Sequence, residues 1–394
     1  MPKNNTNKYE FLVLAPNPWG GQWMNRQQIF SRIGIQHNVI YSNGPLHFHQ
    51  RKSEHFSNSP WLEKSEKKDN ITLSKSPKLV PYRDKENSIY ENISGKLFTH
   101  SIHKHFSAPQ NKILYIFHPN FYPLKKHITN NLTIYHCYDD YSKQDYYTSK
   151  IESYEVKLCH EADIIFASSK NIKKRLSHIS GRSDVIFLPN AVNYDFFAQP
   201  PTEEPSDLSK IPTPRVSYIG SINKKFDFEL WNTLAETMTA VSFICIGPIN
   251  NLDKHDQYLL RSLKEKKNVH FLPEKHHSEL ASYMHFMDIN TMAYRLDDTL
   301  WTDSIYPLKL HEYLAVGKPI ISANIDSITE FKNVIDVANT HNEWQEKISN
   351  AIQKGVSNLD VVAKRKIAKD NTWDKCIERI LHIIDKHSRQ LDSH

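Results

Sequence analysis

Glycine is scarce in this chain. Only 10 of its 394 residues are glycine, whereas average usage of about 7% would give roughly 28. We therefore expect glycine mainly where the backbone takes a positive φ or closely approaches another group. Cysteine is also rare, with four residues and no CxxC spacing. This excludes a disulfide scaffold and predicts reduced, mostly buried thiols.

Long apolar runs are absent as well. No stretch approaches the roughly 18 consecutive apolar residues of a membrane span, and the first apolar run ends at Pro16 without a signal-peptide cleavage pattern. These absences predict a cytoplasmic protein. The formal charge of +6 suits anionic small ligands or an anionic membrane surface. No recognition signature supports binding to nucleic acid.

The residues that are present predict an α/β fold. Hydrophobic residues make up 39% of the chain, which excludes disorder, and the length of 394 residues suggests about two domains. Strand-like runs alternate with helix-like segments from Tyr9 to about Asn43, and again from Lys112 onward. Residues 46–95 are polar and rich in basic residues and proline, and we interpret them as a long excursion with short pieces of structure.

The alternation predicts two Rossmann-like domains. Residues 1–198 form the first, the proline-rich and acidic residues 199–213 are a linker, and residues 214–365 form the second. Residues 366–394 are expected to form a C-terminal helix. Two such domains would face each other across a cleft.

Three glycine-bearing turns follow predicted strands, at Gly20-Gly21, Gly220 and Gly247. Ligands of open α/β sheets bind at this end of the strands, close to helix N-termini that favour anions. None of the turns belongs to a GxGxxG or a GxxxxGK[ST] motif, so dinucleotide-binding and P-loop signatures are missing. The alternative is that they are only tight turns.

A predicted helix beginning at Pro307 has Lys309 in its first turn, where the helix dipole opposes a positive charge. A bound phosphate would make the lysine favourable there. Glu312 lies one turn further on the same face and could accept hydrogen bonds from ribose hydroxyls. The alternative is a solvated lysine–glutamate pair.

An ordered set of motifs resembles the GT-B glycosyltransferases of the bacterial group that includes family 4, and also exopolysaccharide glucuronosyltransferases. The similar segments are residues 11–35, 131–200, 214–325 and 365–380. They include Trp23-x-x-Arg26-Gln27-Gln28, YHCYDDY at 135–141, LPNAVNYDFF at 188–197 and PLKLHEYLAVGKP at 307–319. The resemblance implies a nucleoside-diphosphate sugar, UDP- or GDP-linked, as donor and no metal or other cofactor. It also implies that the C-terminal helix of residues 366–394 packs back on the first domain. It places the donor on these residues: Gly20, Gly21, Gly220, Ser221, Gly247, Glu274, Tyr294, Leu308, Lys309 and Glu312.

One motif departs from the family. Retaining family 4 enzymes carry Glu-x7-Glu, whose second glutamate matches Glu312, but this chain has Ser304 at the first position and Asp303 beside it. We therefore predict an inverting enzyme with Asp139, at the end of a first-domain strand, as the base. Asp139 matches the proposed base of the glucuronosyltransferases; capping of a helix or an ion pair is the alternative role. His118 is a second catalytic candidate and His136 a third, although most of the 22 histidines must be bystanders.

The sequence thus predicts transfer of a sugar to a glycan or lipid-linked acceptor in bacterial cell-surface polysaccharide synthesis. The alternatives are a retaining family 4-type transferase and a non-catalytic assembly protein that binds the same donor. Residues 96–127 interleave aromatic residues with Lys and His. They suggest either a face for the inner surface of the cytoplasmic membrane or half-buried strands with solvated flanks.

Overall fold

The chain forms two compact units in a computed structural model. The structure describes residues 9–20, 23–47, 51–52, 54–78, 81–82, 89–106, 111–250, 252–297 and 302–391. Residues 1–189 and 377–394 form one unit, here the first domain, and residues 190–376 form the second domain.

The described part of the first domain is an eight-stranded sheet with helices. Its strand order is β3-β4-β2-β1-β5-β6-β7-β8, and every neighbouring pair is parallel except β3 with β4. The elements are β1 (Glu10–Leu14), α1 (Asn25–Ile33), β2 (Asn38–Ser42), α2 (Glu54–Asn58), β3 (Lys64–Lys68), β4 (Ile71–Lys75), α3 (Ile89–His103), β5 (Lys112–Ile116), α4 (Tyr122–Lys125), β6 (Leu132–Cys137), α5 (Ser149–Glu161), β7 (Ile164–Ala167), α6 (Lys170–Ser180) and β8 (Ile186–Phe187).

The central strands are buried because helices cover both faces of a parallel sheet. All residues of β1, β6 and β7 are buried, as expected for continuous apolar runs. Residues 46–95 contribute more to this sheet than their composition indicates. Within them, β4 pairs in parallel with β2, and β3 extends the edge as an antiparallel strand.

The second domain contains a six-stranded parallel sheet in the order β11-β10-β9-β12-β13-β14. This is the strand order of dinucleotide-binding folds, which reverses direction between the first and fourth strands. The elements are α7 (Tyr194–Ala198), β9 (Arg215–Ile219), α8 (Phe228–Thr237), β10 (Ser242–Ile246), α9 (Lys254–Lys264), β11 (Val269–Leu272), α10 (His277–His285), β12 (Ile289–Met292), α11 (Leu308–Val316), β13 (Ile320–Ala323), β14 (Asp336–Ala338), α12 (His341–Lys354), α13 (Asn358–Asp370) and α14 (Trp373–Leu391). The predicted α/β class with two Rossmann-like domains is confirmed.

The boundary between the domains differs from the sequence-based one. The division falls between Pro189 and Asn190, so residues 199–213 group with the second domain. Leu208 in this stretch is fully buried, and Asp207 accepts hydrogen bonds from Lys275 (2.6 Å) and Tyr283 (2.7 Å). Although residues 199–213 are proline-rich and acidic, they form a packed segment of the second domain rather than an open linker.

The last helix, α14, starts in the second domain, and its residues from Ile377 onward group with the first. Within the first domain, the Tyr9 hydroxyl donates to the Asp385 carboxylate at 2.5 Å. All four cysteines are free and buried, as predicted. Among the described residues, no helix is both long enough and apolar enough to cross a bilayer.

Gly247→Ala tests the close backbone contact in the second domain. A Cβ there would lie 2.3 Å from the Gly220 carbonyl oxygen, whereas a Cβ at Gly355 would meet nothing within 4 Å; both glycines have positive φ. We expect Gly355→Ala to lower the free energy of unfolding by about 1–3 kcal/mol through backbone strain. Gly247→Ala should cost about 1–3 kcal/mol more through overpacking. Equal losses in urea unfolding would contradict the contact.

Candidate functional site

The strand ends at the reversal point of the second sheet carry two glycines. Gly220 follows β9 and Gly247 follows the neighbouring β10, with φ of +138° and +143°. The Gly220 N–H donates to the Ile246 carbonyl at 2.8 Å, and a side chain on Gly247 would collide with the Gly220 carbonyl. Both positions therefore require glycine, because the two loops lie against each other where the strands end.

The N-terminus of α11 lies beside these glycines. Pro307 precedes the helix, no side chain caps its first turn, and the turn has no acidic residue. The Nζ atom of Lys309 lies 3.7 Å from the ring centre of Tyr218 and 5.5 Å from that of Tyr294. A Cβ on Gly220 would be 3.0 Å from Nζ. The structure thus brings Gly220, Tyr294 and Lys309 together.

The Lys309 ammonium is an electrostatically unfavourable group in this state. Nζ is buried and has no hydrogen-bond partner among the described residues, although part of the side chain is exposed. Burial lowers its pKa to about 7, and the charge of Lys225 acts in the same direction, whereas Glu312 opposes the shift. An anion bound at the helix N-terminus would supply the missing partner and stabilise the charged form.

Glu312 lies on the same helix and has a partner that the sequence did not reveal. Its Oε1 is 3.6 Å from Nε2 of His277. The His277 ring stacks on Phe196, with ring centres 6.2 Å apart and planes 19° from parallel. This contact fixes the imidazole beside a carboxylate that is 14% exposed. The sequence contains 22 histidines. The only signal that could have distinguished His277 from the others is its position at the start of α10.

The other second-domain candidates have the following surroundings. The Ser221 hydroxyl is within hydrogen-bond distance of Asn250 (3.4 Å) and Asn223 (3.3 Å). Glu274 is exposed in the connection from β11 to α10, and Leu308 is the first residue of α11 and half-buried. In the 3₁₀ turn Thr302–Ser304, Asp303 is exposed and Ser304 is buried.

The first sheet has an equivalent reversal point between β1 and β5. From β1 the chain adds β2 on one side of the sheet, and later it adds β5 on the other side of β1. Gly20 follows β1 and is exposed, and a Cβ there would meet nothing within 4 Å. Its neighbour Gly21 lies outside the described residues. His118 follows β5, and Asp139 follows β6.

The two candidate histidines of this domain are buried and neutral near pH 7. Burial lowers the pKa of His118 to about 4, and its Nδ1 accepts the Asn120 N–H at 3.2 Å. With Nδ1 accepting, the proton of the neutral ring lies on Nε2, and the low pKa makes His118 a weak base near pH 7. Burial lowers the pKa of His136 to about 3, and its Nδ1 is bonded to the Tyr115 hydroxyl at 2.7 Å within the core.

The adjacent carboxylates of Asp139 and Asp140 have different surroundings. Asp140 is buried, with Oδ1 3.1 Å from Nε of Arg175. The same guanidinium binds both oxygens of the buried Glu155 at 2.7 and 2.9 Å. Asp139 is half-exposed, and Gln144 donates to its Oδ2 at a distance of 3.5 Å. Arg175 thus holds Asp140 in a structural network and leaves Asp139 as the more accessible carboxylate.

A further cation lies at this edge. The Arg26 guanidinium in the first turn of α1 is buried, and its Cζ is 4.7 Å from the ring centre of Tyr138, the residue before Asp139. Its Nε and Nη1 have no hydrogen-bond partner among the described residues. The motif Trp23-x-x-Arg26-Gln27-Gln28 contains this arginine but does not indicate that it is buried. The burial becomes visible only in the structure, where Arg26 packs against Tyr138.

Lys309→Met should alter how stability depends on pH. A lysine titrates near pH 10.4 when unfolded and near pH 7 in this fold, so between these values the unfolded chain binds the additional proton. Unfolding free energy therefore rises with pH in the wild type relative to the variant, by up to about 1.4 kcal/mol per pH unit. Denaturation of both proteins between pH 7 and 9.5 measures this difference. A constant difference would contradict the shifted pKa.

Comparison with known proteins shows sequence similarity to glycosyltransferases. Residues 213–354 match the family model of glycosyl transferases group 1. The Bacillus subtilis (strain 168) glycosyltransferase TuaH, named for teichuronic acid biosynthesis, is 31% identical over 188 residues. That alignment covers 46% of this chain and 45% of TuaH, so it spans less than half of either protein.

Solved structures are similar over nearly the whole chain. Sucrose-phosphate synthase from Thermosynechococcus elongatus is 13% identical with a TM-score of 0.68, over 98% of this chain and 99% of that one. Anabaena HepE, solved with UDP and glucose, is 13% identical with a TM-score of 0.67, over 96% and 100%. The resemblance stated from the sequence is confirmed: residues 213–354 match the family model of the group 1 glycosyltransferases, and the chain has the GT-B fold.

Proposed function

We propose that this protein is a glycosyltransferase that moves a sugar from a nucleoside-diphosphate donor to a glycan or lipid-linked acceptor. The observation that carries the proposal is the buried Lys309 ammonium, which lacks a hydrogen-bond partner among the described residues. It lies at an uncapped helix N-terminus beside two obligatory glycines. These are the features of a site for a diphosphate.

This geometry supports a set of contacts between the second domain and the nucleoside-diphosphate donor. The diphosphate would lie against Lys309 and the first-turn N–H groups of α11, with Gly220 and Ser221 allowing close approach. Its negative charge would restore the proton of Lys309. Glu312, oriented by His277, would accept hydrogen bonds from the ribose hydroxyls. The lysine and helix dipole would then stabilise charge on the departing diphosphate without a metal ion or other cofactor.

Asp139 is the proposed base of an inverting reaction. Its carboxylate would take the proton of the acceptor hydroxyl as that oxygen bonds to the anomeric carbon and the bond from this carbon to the diphosphate oxygen breaks. This assignment is supported by the tethering of Asp140 to Arg175, which leaves Asp139 as the more accessible of the two. His118 would donate a hydrogen bond from Nε2, orienting the acceptor or sugar.

Two of the similar proteins favour a particular donor nucleotide and a particular class of acceptor. HepE was solved with UDP and glucose, and TuaH is named for biosynthesis of teichuronic acid. We therefore propose UDP, with GDP as the alternative, and an acceptor of bacterial cell-surface polysaccharide synthesis. The proposed location is the cytoplasm, peripheral to the inner face of the membrane that carries such acceptors.

Asp139→Asn should reduce transfer by about 10²–10⁴-fold, the usual contribution of a general base, without weakening donor binding. Lys309→Met should instead abolish the thermal stabilisation by the donor, which for wild type is about 2.7 kcal/mol at 100 times Kd. The control is Asp145→Asn, an exposed aspartate on the following loop, with expected activity near wild type. Turnover and thermal shift across UDP and GDP sugars measure both effects. Near wild-type turnover of Asp139→Asn would exclude this base.

The anomeric configuration of the product tests inversion. An inverting enzyme with Asp139 as base gives a product whose anomeric centre is opposite to that of the donor, and NMR of the first product formed reports it. Retention would replace this mechanism by front-face attack assisted by the leaving diphosphate. Donor binding without turnover of any acceptor would instead support a non-catalytic assembly protein.

A further inference from the structure

Six large apolar side chains are exposed in one region of the first domain. Trp61, Leu62, Ile89, Tyr90, Ile93 and Leu97, here the docking patch, have exposed fractions of 71, 70, 80, 39, 51 and 47%. Ile89, Ile93 and Leu97 are four residues apart on α3, so they form one stripe along the helix. Leu62 and Leu97 line the same cavity of about 180 Å³, with Phe98 at its wall. The cavity therefore places Leu97 of the stripe next to Leu62, the neighbour of Trp61 in the chain.

Lysines border the docking patch. Nζ of Lys78 is 5.5 Å from the ring centre of Trp61, and Lys104 pairs with Glu63, which follows Leu62. Lys96 is exposed beside Leu97. Glu63 compensates the charge of Lys104, so Lys78 and Lys96 supply the positive charge beside this apolar surface. Such an arrangement suits an amphipathic, anionic partner.

The edge strand β3 next to the patch extends the positive charge. Every residue of β3 is exposed, and three of its five residues are lysines. Lys64 lies directly opposite Lys75 on β4, a like-charge pair that destabilises a sheet in isolation. An anionic surface would offset this repulsion, whereas a second copy of the chain in a two-fold contact would set these lysines against themselves.

We propose that the docking patch and its lysines bind the surface of an anionic lipid bilayer. Trp and Tyr favour the headgroup level, the α3 stripe would enter the acyl boundary, and the lysines would contact anionic headgroups. The inference deepens the proposed function, since it would bring the enzyme to a lipid-linked acceptor. It also relocates the membrane face suggested for residues 96–127: in that segment Ile113 to Phe117 are buried in the sheet core, and the exposed apolar side chains lie mainly before it.

Co-sedimentation of the full chain with vesicles tests the proposal without donor or acceptor. We expect binding to phosphatidylcholine vesicles that contain phosphatidylglycerol, much weaker binding to phosphatidylcholine alone, and release by salt. Ile89→Glu with Ile93→Glu should weaken binding at least about tenfold. Replacing Lys64, Lys67 and Lys68 by Gln should weaken it about a hundredfold, at roughly fivefold for each lysine.

Matched variants on the second domain provide the control. Leu359 and Val362 on α13 are exposed by 83 and 66%, so Leu359→Glu with Val362→Glu makes the same chemical change elsewhere and should leave binding unchanged. Equal loss in both pairs, equal binding to neutral vesicles, or no binding to any vesicle would overturn the proposal. So would a dimer in light scattering that Ile89→Glu with Ile93→Glu dissolves. An inactive protein that still binds anionic vesicles would refute the transferase function and keep the docking surface.

Discussion

The buried ammonium of Lys309 is the interaction on which the rest of the candidate site depends. It lies between the rings of Tyr218 and Tyr294, and the described residues offer it no hydrogen-bond partner. A charge in that position is unfavourable, which its pKa of about 7 expresses. Two residues make this position possible: Gly220, which follows β9, leaves room for Nζ, and Pro307 precedes the first turn of α11. An anionic ligand converts this unfavourable charge into binding energy.

The first domain uses a buried charge in the opposite way. Arg175 is bonded to both oxygens of Glu155 and lies close to Asp140, so its charge is compensated inside the domain. Breaking such a pair from one side is expensive because it leaves an isolated charge in a low-dielectric interior. The network therefore fixes the end of β6, and it positions Asp139 at the surface beside it. The second domain leaves the charge of Lys309 uncompensated, whereas the first domain uses paired charges to hold the strand end beside Asp139, the proposed base.

Local sequence was sufficient wherever a short apolar run or a helix signal determined the structure. The runs YEFLVL, KILYIF and RVSYI became β1, β5 and β9, and the glycines at 220 and 247 follow strands as the pattern indicated. It was insufficient where tertiary contacts overrode composition. Residues 199–213 have the composition of a linker but pack against α10 through Asp207, and the polar segment 46–95 supplies β4, a parallel strand of the main sheet.

The sequence by itself determined the α/β alternation, the two glycine turns and the lysine in the first turn of α11, because periodicity and turn chemistry act over a few residues. Only the tertiary structure decided which charges are compensated. That Arg175 pairs with Asp140 and Glu155, and that His277 lies beside Glu312, depends on contacts between residues far apart in the chain. Burial and partner geometry set the protonation and orientation of each group, and neither is encoded in local spacing.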